Sequence, residues 1–438
     1  MAHFDNHDLT ITTASGIAAE EYRAGVTLMQ SSWPGAAERF DAAIAADPDF
    51  ALAHAARARL LAISAQPAEA RADIARAKDL VARGTERERE HVAVLFAALH
   101  GQPKLALELA LAHLERWPRD TIIMSLPLGA FGLFAFSGMA DHDQAREDLC
   151  ERHARHFDAD DWWFLANHGW SLVEKGDVAR GRAMLERSFA LRSQNAHGVH
   201  ALAHAMYEAG ASEEATTFID GWLPGYDNRG VLHGHIAWHG ALVALERGDV
   251  AKALATYDRH IQPAVTHSLP INVVSDGASF LWRVQAYGHS VPDGLWDQVA
   301  DYSGRACPKA GQAFVDTHML MIAAATGNRA ELDRRLAVLD ELVAAGSLGA
   351  GAVVPAIGRA LAAFAEGDFQ RSVAVLEPLA DDVVRIGGSG AQREVVEDTL
   401  LVALMRAGET EKARARLDRR LHRRPSFRDG RWLAQLSM

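Results

Sequence analysis

Seven glycines, Gly176, Gly210, Gly248, Gly288, Gly327, Gly367 and Gly408, follow one another at intervals of 34, 38, 40, 39, 40 and 41 residues. Each sits in a short turn: "EKGDVARG", "YEAGASEEA", "ERGDVAKA", "AYGHSVPDG", "ATGNRAEL", "AEGDFQRS" and "RAGETEKA". An interval of this length accommodates two helices of about a dozen residues and two short connections. Glycine supplies the positive φ that ends one helix, and a following Asp or Asn caps the next. Upstream, "WPGAAERFDAAIAADPDFALAHAARARLL" carries the same plan, with two amphipathic runs joined at Asp47-Pro48. Alternating β-branched runs bounded by turn pairs are nearly absent. The expectation is an all-α chain, an α-solenoid of about ten to eleven helical hairpins, each burying its apolar face on its neighbours.

Composition removes several functions. At 438 residues the chain exceeds the usual size of one core, which fits a repeat array, and no linker or low-complexity stretch divides it. A hydrophobic content of 49% is ample for folding. A formal charge of -12 argues against nucleic acid as a partner, since duplex binding needs a basic face. The one basic stretch, "KARARLDRRLHRRPSFRDGRW", reads as the solvated face of a closing helix. Cys150 and Cys307, the two cysteines, have no disulfide-framework or zinc-type spacing. "MAHFDNHDLTITTASGIAAEEY" lacks the basic start and apolar core of a signal peptide, and "MLMIAAA" falls far short of a membrane span. The default expectation is a cytoplasmic protein without membrane contact.

Unusual side chains gather on the helices that precede the turn glycines. Trp163, Asn167 and Trp170 lie 13, 9 and 6 residues before Gly176. His197, His200 and His204 lie 13, 10 and 6 before Gly210; His235, Trp238 and His239 lie 13, 10 and 9 before Gly248. Asp276, Ser279 and Trp282 lie 12, 9 and 6 before Gly288, with Arg283 at 5. Phe314, Asp316 and His318 lie 13, 11 and 9 before Gly327. Offsets of three, four and seven share a helix face. Five consecutive first helices therefore carry polar or aromatic residues at equivalent heights, while the second helices show ordinary amphipathic patterning. A lone His or Trp is usually a packing residue; five aligned helices predict a lined pocket. Residues 1–150 then read as N-terminal repeats, 151–340 as pocket-lining central repeats and 341–438 as C-terminal repeats.

The opening unit, a helix, tight turn, helix and Pro, resembles a tetratricopeptide repeat. From about Asp161 onward the chain resembles the tetratricopeptide repeat protein 38 family. The match is carried in order by "DDWWFLANHGWSLVEKGD", "NAHGVHALAHAMYEAG", "LHGHIAWHGALVALERGD", "DGASFLWRVQAYG", "FVDTHMLMIAAATGN" and "IGGSGAQREV", with "TEREREHVAVLFAALHGQPKLAL" upstream. The resemblance implies an all-helical repeat fold in which, as in tetratricopeptide arrays, the first helices line a concave wall. It implies little about activity. Where relatives commonly read GGSHAQR, this chain has Gly390, so any role of that histidine is lost or altered here.

Three chemistries fit the lined face. The first is an acid–base site of hydrolase or lyase type for a small polar molecule. His200, His204, His239 and His318 are its candidate catalytic imidazoles, and Asp276 and Asp316 the carboxylates that fix a tautomer. Trp163, Asn167, His197, His235 and Trp238 would contact substrate, and Arg283 would grip an anionic group unless it pairs within the chain. The second is a metal site. His200 with His204 and His235 with His239 are spaced i, i+4, and Glu208 extends the first row, although no HExxH motif makes zinc specific. No cofactor is otherwise expected, and a divalent transition metal is the alternative. The third is a non-catalytic tetratricopeptide scaffold that binds proteins or peptides, since fold alone does not settle function. Outside this zone, "RIGGSGAQREVVEDTL" surrounds Ser389 with glycines before a helix. Its free amides, with Gln392 and Arg393, could receive an anion, or the stretch is an N-cap and connector. No nucleotide-binding loop pattern is present.

Overall fold

The computed structural model describes residues 2–436, and among these the chain is all-α apart from one antiparallel pair, β1 (His3–Phe4) with β2 (Thr10–Ile11). The fold is a tetratricopeptide-like array of consecutive helical hairpins. Three lead: α1 (Gly16–Gln30) with α2 (Ala36–Ala46), α3 (Ala51–Ile63) with α4 (Pro67–Leu80), and α5 (Glu86–Leu99) with α6 (Pro103–Arg116). Helices α7 (Thr121–Leu128) and α8 (His142–His153) are joined by a longer irregular segment, because Pro127 and Gly129 close α7 early. Regular pairing resumes with α9 (Trp162–Lys175) and α10 (Val178–Leu191), then α11 (Ala196–Glu208) and α12 (Ser212–Trp222). There follow α13 (His233–Arg247) with α14 (Val250–Thr256), α15 (Pro270–Ala286) with α16 (Leu295–Ala306), and α17 (Ala313–Ala325) with α18 (Arg329–Ala344). Last come α19 (Val353–Ala365) with α20 (Phe369–Leu376), α21 (Gly390–Arg406) with α22 (Thr410–Arg423), and a closing α23 (Phe427–Gln435).

Two compact units emerge. The first takes residues up to Ser137 with His142–Lys175 and Ala183–Ala201; the second takes Gly138–Asp141, Gly176–Arg182 and everything from Leu202 on. The division runs through α11, a single unbroken helix, between Ala201 and Leu202.

The turn chemistry explains the period. All seven repeat glycines have φ between 65° and 106°, a region that costs other L-residues about 1–2 kcal/mol. Asp249, Asn328 and Asp368 then accept a hydrogen bond from the backbone three residues on and start α14, α18 and α20. In the first two hairpins the same left-handed position falls to Ser32 and Ala65, with φ of 52° and 57°; in the third it is Gly101 (72°), which the irregular α7–α8 segment separates from Gly176, so the glycine ladder stops short of repeats that are present. The helix faces pack closely because alanine carries them. In α3, Ala51, Ala53, Ala55, Ala56 and Ala58 are all buried.

The basic C-terminal stretch departs from the expectation of a solvated face. Arg420, Arg424 and Arg428 are only 3–4% exposed. Arg420 donates to Asp429 (2.7 Å), Asp398 (2.9 Å) and Glu394 (3.1 Å), and Arg424 to Glu246 (2.8 Å) and Glu394 (2.7 Å). Arg428 donates to Asp429 (3.0 Å) and to the Tyr287 hydroxyl. Arg283 joins through Asp398 (3.1 Å). Four guanidinium groups thus meet four carboxylates, those of Glu246, Glu394, Asp398 and Asp429, in a buried and formally neutral network. It fastens α22 and α23 to α13, α15 and α21. A pattern of solvated charge and a pattern of paired buried charge look alike in one sequence, because the partners lie up to 178 residues away.

Among the described residues no helix is long and apolar enough to cross a membrane. Both cysteines are free, and burial pushes the Cys150 thiol up to about 12.

Candidate functional site

The second unit builds a histidine centre from α11, α13 and α15. The Gly248 turn ends α13 with φ of 87° and so fixes the height at which His235 and His239, one helical turn apart, project. His204 on α11 is fully buried, and His235, Trp238 and His239 are 3%, 0% and 1% exposed. The rings interlock. His204 meets His239 edge-on with centroids 4.3 Å apart, and His239 meets His235 edge-on at 5.1 Å. Trp238 stacks on His235 at 5.3 Å with planes 12° apart and abuts His239 at 4.9 Å. One nitrogen from each of His204, His235 and His239 lies within 4.8 Å of the others. His200, on the same helix as His204, belongs to the first unit.

Asp276 supplies the carboxylate. Pro270 opens α15 at its first turn, where a missing N–H costs nothing, and Asp276 follows on the buried face at 2% exposure. His235 Nδ1 donates to Asp276 Oδ2 at 2.8 Å. An ionised carboxylate only accepts, so this bond places the proton of a neutral His235 on Nδ1 and leaves a lone pair on Nε2. Burial raises the Asp276 carboxyl above its usual range, although His235 opposes the shift. Burial, reinforced by His204, His235 and Arg283, drives His239 well below the ordinary imidazole value and keeps it neutral.

The remaining sequence-derived residues fall elsewhere. Asp316 anchors the loop before its own helix. It accepts from the Gly311 and Gln312 amides at 2.8 Å each and from Arg335 at 2.5 Å. His318 Nδ1 donates to the Phe314 carbonyl (2.8 Å), its ring lies 4.6 Å from Phe314, and burial takes it down to about 4. Arg283 pairs with Asp398 and the Ala391 carbonyl (2.8 Å) while its guanidinium lies 5.8 Å from the Trp238 ring centre. In the first unit, Asn167 donates to the Trp163 carbonyl (2.9 Å) and accepts from His197 (3.3 Å), and burial lowers His197 to about 4. Glu208 is half-buried near the end of α11, and the histidine group forms without it.

The glycine-rich stretch before α21 is a capping box. Ser389 accepts from the Gln392 amide (3.3 Å), Gln392 Oε1 accepts from the Ser389 amide (3.0 Å), and Arg393 donates to the Gly388 carbonyl (2.5 Å). Gly390 begins the helix and is half-buried. At Gly388, φ is 79° and an added Cβ would stand 2.4 Å from Phe314 Cε2. Gly388→Ala therefore combines backbone strain with overpacking and is expected to cost about 2–4 kcal/mol. Urea unfolding checks this, with Gly367→Ala as the comparison, since a Cβ there meets open space.

A second cluster, in the first unit, escaped the sequence reading. Asp120, next to the start of α7, accepts from Arg87 (2.7 Å), His91 Nδ1 (2.9 Å) and His113 Nε2 (3.1 Å), and all four residues are buried. Burial opposes its charge, but His91 and Arg87 outweigh that and hold its carboxyl well below the usual range. His91 and His113 sit on different helices at unequal distances from Asp120, so no helical period joins them.

Open space in the second unit lies between α12, α13 and α14. A groove of about 450 Å³ is walled by Ile219, Leu223, Pro224 and Ala237 and edged by His233, Arg259, His260 and the Lys252–Asp220 ion pair (2.6 Å).

No family model matches the chain. Solved structures similar to it include a Rap protein complexed with competence and sporulation factor, at 10% identity and a TM-score of 0.42 over 88% of this chain and 99% of that one. The yeast Tom70 is similar at 12% identity and 0.35 over 96% and 94%. Pseudomonas aeruginosa pilF is similar at 15% identity and 0.24 over 55% and 88%. These likenesses are too distant to bear on function.

Proposed function

We propose that this tetratricopeptide-like protein binds a small polar molecule at the histidine centre of its second unit and acts on it by acid–base chemistry of hydrolase or lyase type. The observation that carries this reading is the His235–Asp276 pair, bonded at 2.8 Å and held with His239 and His204 in a buried cluster. A carboxylate behind an imidazole fixes its tautomer and raises its basicity, an arrangement that serves proton transfer better than packing. His204 and His239 complete the cluster edge-on to one another, and Trp238, stacked on His235, gives it an apolar wall. Asp316 and His318, bound to their own loop and helix, are proposed as support for α17 rather than as partners in proton transfer.

A second reading, a non-catalytic scaffold for a protein or peptide, is favoured by the groove between α12 and α14, whose apolar walls suit an apolar segment and whose Arg259 would meet an acidic side chain on it. One comparison separates the two. A thermal-shift screen of small polar metabolites is run on the wild-type protein and on Asp276→Asn, which keeps the shape of the side chain. Hits that vanish in Asp276→Asn support the acid–base centre. An absence of small-molecule hits, with acidic-peptide binding lost in Arg259→Ala, supports the scaffold and overturns the first reading.

A further inference from the structure

We propose that His204, His235 and His239 hold one divalent transition-metal ion of the zinc class. The inference rests on the reading of the histidine centre given above and names what that centre contains. Three nitrogens from two adjacent hairpins already lie within 4.8 Å of one another. In a tetrahedral zinc site with Zn–N bonds near 2.0–2.1 Å, ligand nitrogens stand roughly 3.4 Å apart, so small side-chain rotations complete the site. His235 and His239, one turn apart on α13, give two ligands from one helix face, and His204 on α11 gives the third.

Asp276 is the second argument. Metal-ligating histidines characteristically donate their other N–H to a carboxylate, which orients the ring and strengthens the ligand. His235 does this at 2.8 Å, which makes Nε2 its ligand atom. The donor set selects the metal. An all-imidazole site suits zinc, copper, nickel or ferrous iron, whereas calcium and magnesium require oxygen ligands. Three imidazoles leave a fourth position at which a water or a substrate oxygen would bind the ion. The Asp120 cluster of the first unit is a poorer candidate, because the Arg87 guanidinium 2.7 Å from Asp120 already supplies its positive charge.

The test uses the full chain purified without a histidine tag. Elemental analysis is expected to find about one metal per chain, retained through gel filtration, and cobalt added after chelation is expected to give the visible absorption of a tetrahedral site. His204→Asn and His239→Gln, chosen for similar volume and checked by circular dichroism, are expected to lose that signal. Asp276→Asn is expected to weaken metal binding about 10–100-fold. His318→Asn, outside the set, should retain it. A folded wild-type protein that carries no metal and gives no cobalt spectrum overturns the proposal, as does a spectrum unchanged in His239→Gln. Because the readout needs no substrate, metal binding without any small-molecule hit would sink the acid–base reading and leave this site standing. Hits that persist in metal-free protein would do the reverse.

Discussion

Asp398→Ala is expected to destabilise the second unit by about 3–5 kcal/mol, measured as a lower urea midpoint of its unfolding transition. Removing one member of a buried ion-pair network leaves the others charged and unsolvated, which costs far more than the pair itself contributes. Asp398 accepts from Arg283 (3.1 Å), Arg420 (2.9 Å) and Tyr287 (2.7 Å), and Arg428 lies 3.2 Å away. Three guanidinium groups would therefore lose one carboxylate, with no water to replace it. Replacing the whole group by apolar residues of matching volume should cost much less, since the loss comes from stranded charge. A pH dependence follows. Burial works against the charge on Glu394 and Asp398, but Arg424 and Arg420 hold Glu394 well below its ordinary 4.5, and Arg428 and Arg420 hold Asp398 below its ordinary 3.8. Depressed carboxyls stabilise the fold fully above those ordinary values and lose the contribution as pH falls through the folded ones. Acid titration by far-UV circular dichroism should thus show the second unit failing below about pH 4. Asp398→Asn should flatten that limb.

Asp120→Ala is expected to cost the first unit a comparable 3–5 kcal/mol. Here one carboxylate serves Arg87, His91 and His113 together, all fully or nearly buried. Truncation strands a guanidinium whose other bond is to the Thr10 carbonyl (2.9 Å), so the loss should reach β2 and the N-terminal segment as well. Hydrogen exchange would report it as faster exchange in α5 and around Thr10, with the second unit unaffected. Equal losses in both units would contradict the local origin argued here.

The repeat architecture was legible because its cause is local. A glycine with positive φ and an Asp or Asn cap lie within a few residues of each other, and the period emerges from counting. It faded toward the N-terminus because the irregular α7–α8 segment separates Gly101 from Gly176 and because Ser32 and Ala65 take the left-handed position in the first two hairpins. The histidine centre was half legible. Offsets from the turn glycines placed His204, His235 and His239 on comparable faces, and Asp276 on the next helix, because equivalent positions in adjacent hairpins are neighbours. The same offsets grouped Asp316 and His318 with them, yet these side chains turn to the Gly311–Gln312 loop and to Phe314. Height along a helix does not report rotation or the pull of a nearer partner. Arg283 shows the limit most plainly. Its partner Asp398 lies 115 residues on, and no spacing rule reaches that far.

The buried charges of α22 and α23 have a consequence for biosynthesis. The Glu246 carboxylate on α13 is made 178 residues before Arg424, which neutralises it. Until α22 and α23 have been made, Glu246, Glu394 and Asp398 can stay charged only in water, so the interior of the second unit cannot close around them. Its final compaction waits for these two helices, whereas the first helices of the molecule are free to consolidate while synthesis continues.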